Sequence, residues 1–235
     1  MIKVNEIFGP TIQGEGKSAG RPVAFLRLAQ CNLHCIWCDT PHTWNWVGTD
    51  FAHPEKYVEV DEVHEMAVEE IVKRLEETGM KALVISGGEP LLQQKQLLPL
   101  VTILKHLGWW IEVETNGTVP PRMEFFDQVD QVNCSPKLAN SLDPVKLRIR
   151  PQTLDKLSAI PKVNFKFVIQ TESDLNEALE LIKQHNFQEV RLMPECRTKE
   201  ELEAKTELLQ KLCDETGFIF CTRLSILQAG TERGI

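Results

Sequence analysis

No stretch of about 18 apolar residues occurs in the 235-residue chain, so no segment reads as a transmembrane helix. The opening residues Met1-Ile2-Lys3-Val4-Asn5-Glu6-Ile7-Phe8 lack the long apolar core and small-residue cleavage site of a secretory signal. A cytoplasmic location is the expectation. Positive charge is scarce: 26 Lys and Arg against 34 Asp and Glu leave a net charge of −8. That balance excludes a nucleic-acid backbone or an anionic membrane surface as the main partner. Internal repeats and low-complexity tracts are absent, and the 42% hydrophobic and 26% charged fractions are those of an ordinary globular chain. One domain over residues 1–235 is the expected organisation. A disulfide framework is not needed at this size, and the cysteines number seven, an odd count. Three of them, Cys31, Cys35 and Cys38, fall within eight residues.

The first 50 or so residues are rich in Gly, Pro and aromatics and poor in helical periodicity, apart from one strand, Val23-Ala24-Phe25-Leu26-Arg27-Leu28. Strand and helix signals then alternate. Helices are expected over residues 68–77 with Gly79 as stop, over 97–107, from a Ser173 cap to about 185, and over 199–214. Strands are expected at 82–85, 110–113, 130–134, 164–169, 189–193 and 218–221. The Pro-rich stretch 144–161 reads as an irregular surface excursion. Six or seven strands with four helices in alternation mean βα units on a mostly parallel sheet, an α/β fold. A complete eight-fold barrel typically needs about 250 residues, so an incomplete TIM-type βα barrel is the expectation.

Cys31-Asn32-Leu33-His34-Cys35-Ile36-Trp37-Cys38 spells C-x3-C-x2-C directly after the first strand. A closed structural zinc site wants a fourth ligand, and His34 and His42 sit at unsuitable spacings with no second CxxC following. A [4Fe–4S] cluster held by three cysteines instead keeps one iron open for a non-protein ligand. The remaining Cys134, Cys196, Cys213 and Cys221 read as packed thiols. At the end of the 82–85 strand stands Ser86-Gly87-Gly88-Glu89-Pro90, whose glycines permit close approach to the backbone and whose carboxylate suits an ammonium. Ile7-Phe8-Gly9-Pro10-Thr11-Ile12-Gln13-Gly14-Glu15-Gly16 resists helix formation. It reads either as a site for a flat heterocycle with donors and acceptors on its edge or as a loop closing one end of the barrel. Glu112, Glu114 and Asn116, on a strand end, stand between a structural and a site role.

The cysteine motif after a strand resembles the signature of the radical S-adenosylmethionine enzymes. That resemblance implies a complete or partial βα barrel and a [4Fe–4S] cluster on Cys31, Cys35 and Cys38. It also implies S-adenosylmethionine on the open iron, cleaved by the reduced cluster to a 5′-deoxyadenosyl radical. Trp37 then lies where an aromatic contacts the adenine, the Gly-Gly-Glu-Pro turn where the methionine amino group is held, and Ser135-Pro136-Lys137 beside the ribose or carboxylate, although the last is equally an ordinary strand-to-loop turn. The amino-terminal segment, the Trp37-Cys38-Asp39-Thr40 ending and the glycine turn together resemble the 7-carboxy-7-deazaguanine synthase family. Members convert 6-carboxy-5,6,7,8-tetrahydropterin to 7-carboxy-7-deazaguanine with loss of ammonia, using S-adenosylmethionine catalytically.

Carried over by position, the resemblance implies substrate contacts at Ile12, Gln13, Gly14, Glu15, Arg27 and Ser86. It implies cofactor contacts at Trp37, Cys38, Asp39, Gly88, Glu89, Ser135, Pro136 and Lys137, and Mg2+ at Thr40. An external electron donor such as flavodoxin and a homodimer are implied too. The chain departs from the family near its end, reading Arg223-Leu224-Ser225 where many members read Arg-Leu-His, with only a loose match over 228–235. The rival readings are a glycyl-radical activase acting on a protein, which would lack the 9–16 segment and the Thr40 position, an iron–sulfur electron carrier, and a zinc-stabilised binding module.

Overall fold

The computed structural model describes residues 1–230, 233 and 234. Of the loosely matching carboxy-terminal stretch, Thr231, Glu232 and Ile235 lie outside the described residues. Among the described residues nine strands form one open sheet: β1 (Ile2–Ile12), β2 (Pro22–Leu28), β3 (His64–Met66), β4 (Ala82–Gly87), β5 (Trp110–Thr115), β6 (Gln131–Cys134), β7 (Val163–Ile169), β8 (Val190–Pro194) and β9 (Ile219–Phe220), in the order β3-β1-β2-β4-β5-β6-β7-β8-β9. From β2 onward every neighbour is parallel, whereas β1 runs antiparallel to β2 and β3. This is the expected partial barrel, extended at one edge by two antiparallel strands.

Alternation sorts the strands into two faces. Leu26, Leu28, Leu83, Ile85, Ile111, Val113, Phe165 and Phe167 point outward into the main core. There they meet the apolar stripes of α1 (Val68–Glu77; Ile71, Leu75) and α2 (Gln94–His106; Leu97, Leu100, Leu104). They also meet α3 (Pro151–Ser158; Leu154, Leu157) and α4 (Glu172–His185; Leu175, Leu181). Burying each such side chain is worth about 1.5–3 kcal/mol. The opposite face, inside the barrel, buries the polar residues Glu112, Asn133, Asn164, Lys166 and Arg191, beside two small apolar clusters around Val23 and Val84 and around Val168 and Met193.

Four expectations need correction. Residues 2–12, read as irregular, form β1; the strand tolerates Gly9-Pro10 because a register shift between Phe8 and Thr11 takes both residues out of the ladder. The 144–161 stretch contains a helical turn, Val145–Arg148, and α3, which Pro151 starts from its first turn, a position where a missing N–H costs nothing. The cap of α4 is Thr171, not Ser173: its side chain accepts from Asp174 N and the Asp174 carboxylate accepts from Thr171 N. Beyond the four expected helices, the chain adds short turns of helix and a last one, α6 (Leu224–Ala229), after α5 (Lys199–Thr216).

Candidate active site

The carboxyl ends of the parallel strands open into a cavity of about 290 Å³. The cysteine loop leaves β2 already pinned at both flanks: Ala29 N donates to Lys3 O at 3.0 Å and Gln30 N to Thr43 O at 2.7 Å. Ile36 N donates to Ser141 O, and His34 N to the Asp143 carboxylate at 2.9 Å. Curled in this way, the loop brings Cys31, Cys35 and Cys38 into one cavity wall. Burial pushes the Cys31 thiol up to about 12 and raises Cys35 and Cys38 as well, so a cluster must displace protons to bind. Three donors await the sulfurs: Trp44 Nε1 lies 3.3 Å from Cys38 Sγ, while Leu33 N and Asn116 Nδ2 lie 3.5 and 4.0 Å from Cys31 Sγ. Among the described residues no three His, Cys, Asp or Glu side chains gather about a single ion, which is what a zinc site would require. Three cysteines in one cavity wall are the ligand number that a [4Fe–4S] cluster with one open iron takes.

Gly87 and Gly88 serve the protein's own backbone first. A Cβ on Gly87 would collide with Leu28 N and O, and one on Gly88 with the Gln30 carbonyl. Gly88 N donates to Leu28 O at 3.0 Å and Glu89 N to Gln30 O at 2.9 Å. The glycine turn is thus laced to the start of the cysteine loop, which is a closer role than the ligand approach read from the sequence. Glu89 is fully buried and accepts three hydrogen bonds, from Leu91 N, Thr115 Oγ1 and Asn116 N at 2.9, 2.8 and 2.7 Å. It therefore holds β4 to β5 beneath the cavity and does not line it; Pro136 does not line it either. The other residues to which the resemblance assigns a site role all do, as do Glu114 and Asn116, whereas Glu112 does not. Thr40 faces the cavity with its hydroxyl only weakly engaged, 3.5 Å from Gly87 O and 3.6 Å from Cys38 Sγ. An underused hydroxyl oxygen suits magnesium's habit of taking few protein ligands. Trp37 packs against Val168, Met193 and Cys221 with Lys137 Nζ 5.4 Å above its ring, a flat apolar wall with a cation at its rim.

The amino-terminal segment closes the other side. Gln13 is buried, donates to the carboxylates of Glu112 and Glu114, and so binds the barrel interior as well as the cavity. Gly14 O accepts from Leu224 N at 2.8 Å, and a Cβ on Gly14 would press on Ser225 at 3.0 Å, so the segment is locked against the carboxy-terminal helix. Glu15 pairs with buried Lys166 at 3.2 Å, and Lys166 reaches Glu114 at the same distance. Burial works upward on Glu15, but Lys166 and Arg223 outweigh it and hold the carboxyl low. Arg27 presents its Nε to Glu6 at 2.5 Å, and among the described residues its terminal nitrogens make no hydrogen bond.

Sequence reading missed several members of the wall. Glu6 was hidden because β1 was not recognised as a strand; the alternation in 2–5 was a signal, but a register shift between Val4 and Glu6 interrupts it. Lys166 sits among apolar residues in Asn164-Phe165-Lys166-Phe167, where a lone charge in a strand marks an inward position. Asp39 pairs with Arg223 at 2.5 Å across the cavity, a contact of 184 residues' separation that no local pattern announces. His42, offered above only as an ill-spaced zinc ligand, lies in the wall beside Glu6.

Residues 27–164, more than half of the chain, match the Radical SAM superfamily model. The 7-carboxy-7-deazaguanine synthase of Pyrobaculum aerophilum is 36% identical over 241 aligned positions, covering 99% of this chain and 97% of that one. The enzyme of the same name from Hyperthermus butylicus is 33% identical, covering 89% and 83%. Among solved structures, QueE from Escherichia coli superposes with a TM-score of 0.70 at 25% identity, covering 94% of this chain and 93% of that one. A cavity that joins three converging cysteines to a glycine turn, in a chain that matches these proteins nearly end to end, belongs to the 7-carboxy-7-deazaguanine synthase family of radical S-adenosylmethionine enzymes.

Proposed function

We propose that the chain converts 6-carboxy-5,6,7,8-tetrahydropterin to 7-carboxy-7-deazaguanine with release of ammonia, as a carbon–nitrogen lyase. The observation that carries this is the single cavity shared by the cysteine loop, Thr40, Arg27 and the 12–15 segment. A [4Fe–4S] cluster on Cys31, Cys35 and Cys38, with S-adenosylmethionine beside it, supplies when bound the radical chemistry that opens the reaction. Ring contraction with loss of ammonia leaves no net gain or loss of electrons, so the cofactor can be regenerated in each turnover.

The chain's own residues bind, orient and exclude. Trp37 offers a face for the adenine, and Gly88, Ser135 and Lys137 line the cofactor's side of the cavity together with the half-exposed Asp39. Arg27 offers its two terminal nitrogens, which make no hydrogen bond among the described residues, in the fork that suits the substrate carboxylate. Thr40 offers an oxygen to Mg2+, and Ser86 a hydroxyl to the substrate. Ile12, Gly14 and Glu15, with Gln13 behind them, face the heterocycle's edge, where the ionised Glu15 can accept from ring N–H groups. The reading further includes one catalytic unit over 1–235, a cytoplasmic homodimer and an external electron donor such as flavodoxin. Among the described residues no helix is long and apolar enough to cross a membrane.

The test is anaerobic reconstitution followed by turnover with reductant, S-adenosylmethionine, Mg2+ and the carboxytetrahydropterin. Close to four irons per chain, one ammonia per deazapurine formed, and little net consumption of cofactor are expected. Protein that cleaves S-adenosylmethionine under reduction yet leaves the pterin untouched would favour an activase of protein substrates. Thr40→Ala should weaken the Mg2+ response while iron content stays unchanged.

A further inference from the structure

Lys166 is a buried cation on the inner face of the sheet. It stands on β7, with 3% of its side chain exposed, and lines the cavity. Its Nζ lies 3.2 Å from Glu15 Oε1 and 3.2 Å from Glu114 Oε2, so it ties the amino-terminal segment to the end of β5. Both carboxylates line the cavity, with 27% of the Glu15 side chain and 16% of the Glu114 side chain exposed. Glu114 does not depend on Lys166 alone, because Gln13 Nε2 and Asn133 Nδ2 donate to its Oε1 at 3.1 and 2.7 Å. Glu15 does. Lys166 is the one side-chain donor that the Glu15 carboxylate meets among the described residues, and Oε2 has no partner there. A carboxylate so poor in donors keeps its charge in a buried wall only while a cation stands beside it.

The groups around Glu15 agree. Burial acts on its carboxyl most strongly and upward, and Lys166 is the largest influence in the other direction, followed by Arg223 beyond β9. Asp39 of the cysteine loop adds a smaller upward push. Cys221, just after β9, is a buried thiol that takes a hydrogen bond from Gly16 N at 3.1 Å, and Glu112 and Glu114 of β5 face the same ammonium as Glu15. We propose that Lys166 is a positioning residue for the substrate, one that fixes Glu15 from inside the barrel as a charged acceptor for the N–H groups on the pterin's edge. The aminopyrimidine edge of a pterin presents two donors side by side, a ring N–H and an amino group. A carboxylate accepts from both, whereas a carboxylic acid has one oxygen occupied by its own proton. This rests on the reading that Glu15 meets the heterocycle's edge.

The experiment uses cluster-reconstituted enzyme with S-adenosylmethionine and Mg2+, comparing wild type with Lys166→Met, Lys166→Gln, Lys166→Arg and Glu15→Gln. Equilibrium affinity for 6-carboxytetrahydropterin, KM and kcat are measured from pH 6 to pH 9. Without the ammonium, burial carries the Glu15 carboxyl upward, so the Met and Gln variants hold a proton there at low pH. At pH 6 they should bind the pterin roughly tenfold to a hundredfold more weakly than wild type, the worth of a hydrogen bond to a charged group. As pH rises Glu15 ionises in these variants too, so the deficit should narrow. Lys166→Arg should recover most of the loss and show no such slope. Glu15→Gln has no proton to lose and should be weakened by a similar factor at every pH. That variant leaves Lys166 paired with Glu114, which keeps the test available should both neutral Lys166 variants fail to fold. Iron content and affinity for S-adenosylmethionine should match wild type throughout. A deficit that holds the same factor across the pH range in a folded Met or Gln variant would overturn the proposal, because a merely structural lysine predicts it. Pterin affinity within twofold of wild type in Glu15→Gln would overturn it as well. Wild-type protein that never turns over the carboxylated pterin refutes the proposed function instead, so the two failures are told apart.

Discussion

Gly88 shows how a motif residue can be required by neighbouring backbone before any ligand arrives. Its missing Cβ is the space through which the Gln30 carbonyl accepts from Glu89 N. Gly88→Ala should push β4 away from the cysteine loop and destabilise the fold by about 1–3 kcal/mol, the usual cost of overpacking. Thermal unfolding of the cluster-free protein reads this directly, and an unchanged Tm would count against it. Trp44 makes the opposite kind of contribution, a donor aimed at a ligand: its indole N–H lies 3.3 Å from Cys38 Sγ. Hydrogen bonds to cluster sulfurs stabilise the reduced, more negative state. Trp44→Phe keeps the ring and removes the donor, so the cluster potential should fall by tens of millivolts. A redox titration followed by electron paramagnetic resonance checks it; a potential that stays or rises refutes the contact. At this scale Cys31, Cys35, Cys38 and Gly88 were legible because their spacing is local. His42 and Lys166 were not, because each draws its meaning from residues distant in the chain.

Elements are stabilised here by their ends as much as by their faces. The cap of α5 is reciprocal: Thr198 Oγ1 accepts from Glu201 N at 3.2 Å, and the Glu201 carboxylate accepts from Arg197 N at 2.7 Å and Thr198 N at 3.4 Å. Thr198→Ala should cost about 1 kcal/mol and lower Tm by about 2–4 °C without altering iron content. The α5 boundary was readable from its sequence, since a helix beginning at Lys199 follows a threonine and precedes a glutamate by the right spacing. The same box at Thr171 and Asp174 was overlooked in favour of Ser173, because an aspartate in the partner position is a weaker signal than a glutamate. The strand β1 was obscured by Gly9 and Pro10, which ordinarily punctuate strands. Here they occupy a bulge that bends the strand over β2, with Phe8 and Phe25 stacked at 5.0 Å between centroids. Propensity read residue by residue cannot foresee a bulge whose reason is the curvature of the sheet.

The whole molecule has two interiors, one apolar between sheet and helices and one inside the open barrel that buries many polar groups among small apolar clusters. The parallel βα order was legible because buried strands show as apolar runs. The polar interior was not, because Glu112 and Glu114 alternate with Ile111 and Val113 as they would on a solvent-facing strand. Glu112 is fully buried there and accepts from Gln13, Ser18, Gln131 and Asn133. Burial first, and the neighbouring Glu114 carboxylate second, push its carboxyl up to about 8, against the pull of those donors. An acid whose pKa is higher folded than unfolded binds more protons in the native state, so its contribution is fully present below about pH 4.5. That contribution declines as pH rises and is gone above about 8. The wild-type protein should therefore lose stability, by about 1 kcal/mol or more, between pH 5 and 8. Glu112→Gln removes the titration while keeping the shape, and its stability should be flatter across that window, with the gap to wild type shifting in the variant's favour as pH rises. Denaturant unfolding of the cluster-free protein at pH 5, 6.5 and 8 decides it. Parallel curves for the two proteins would mean that Glu112 stays ionised throughout, with its four donors outweighing both burial and Glu114.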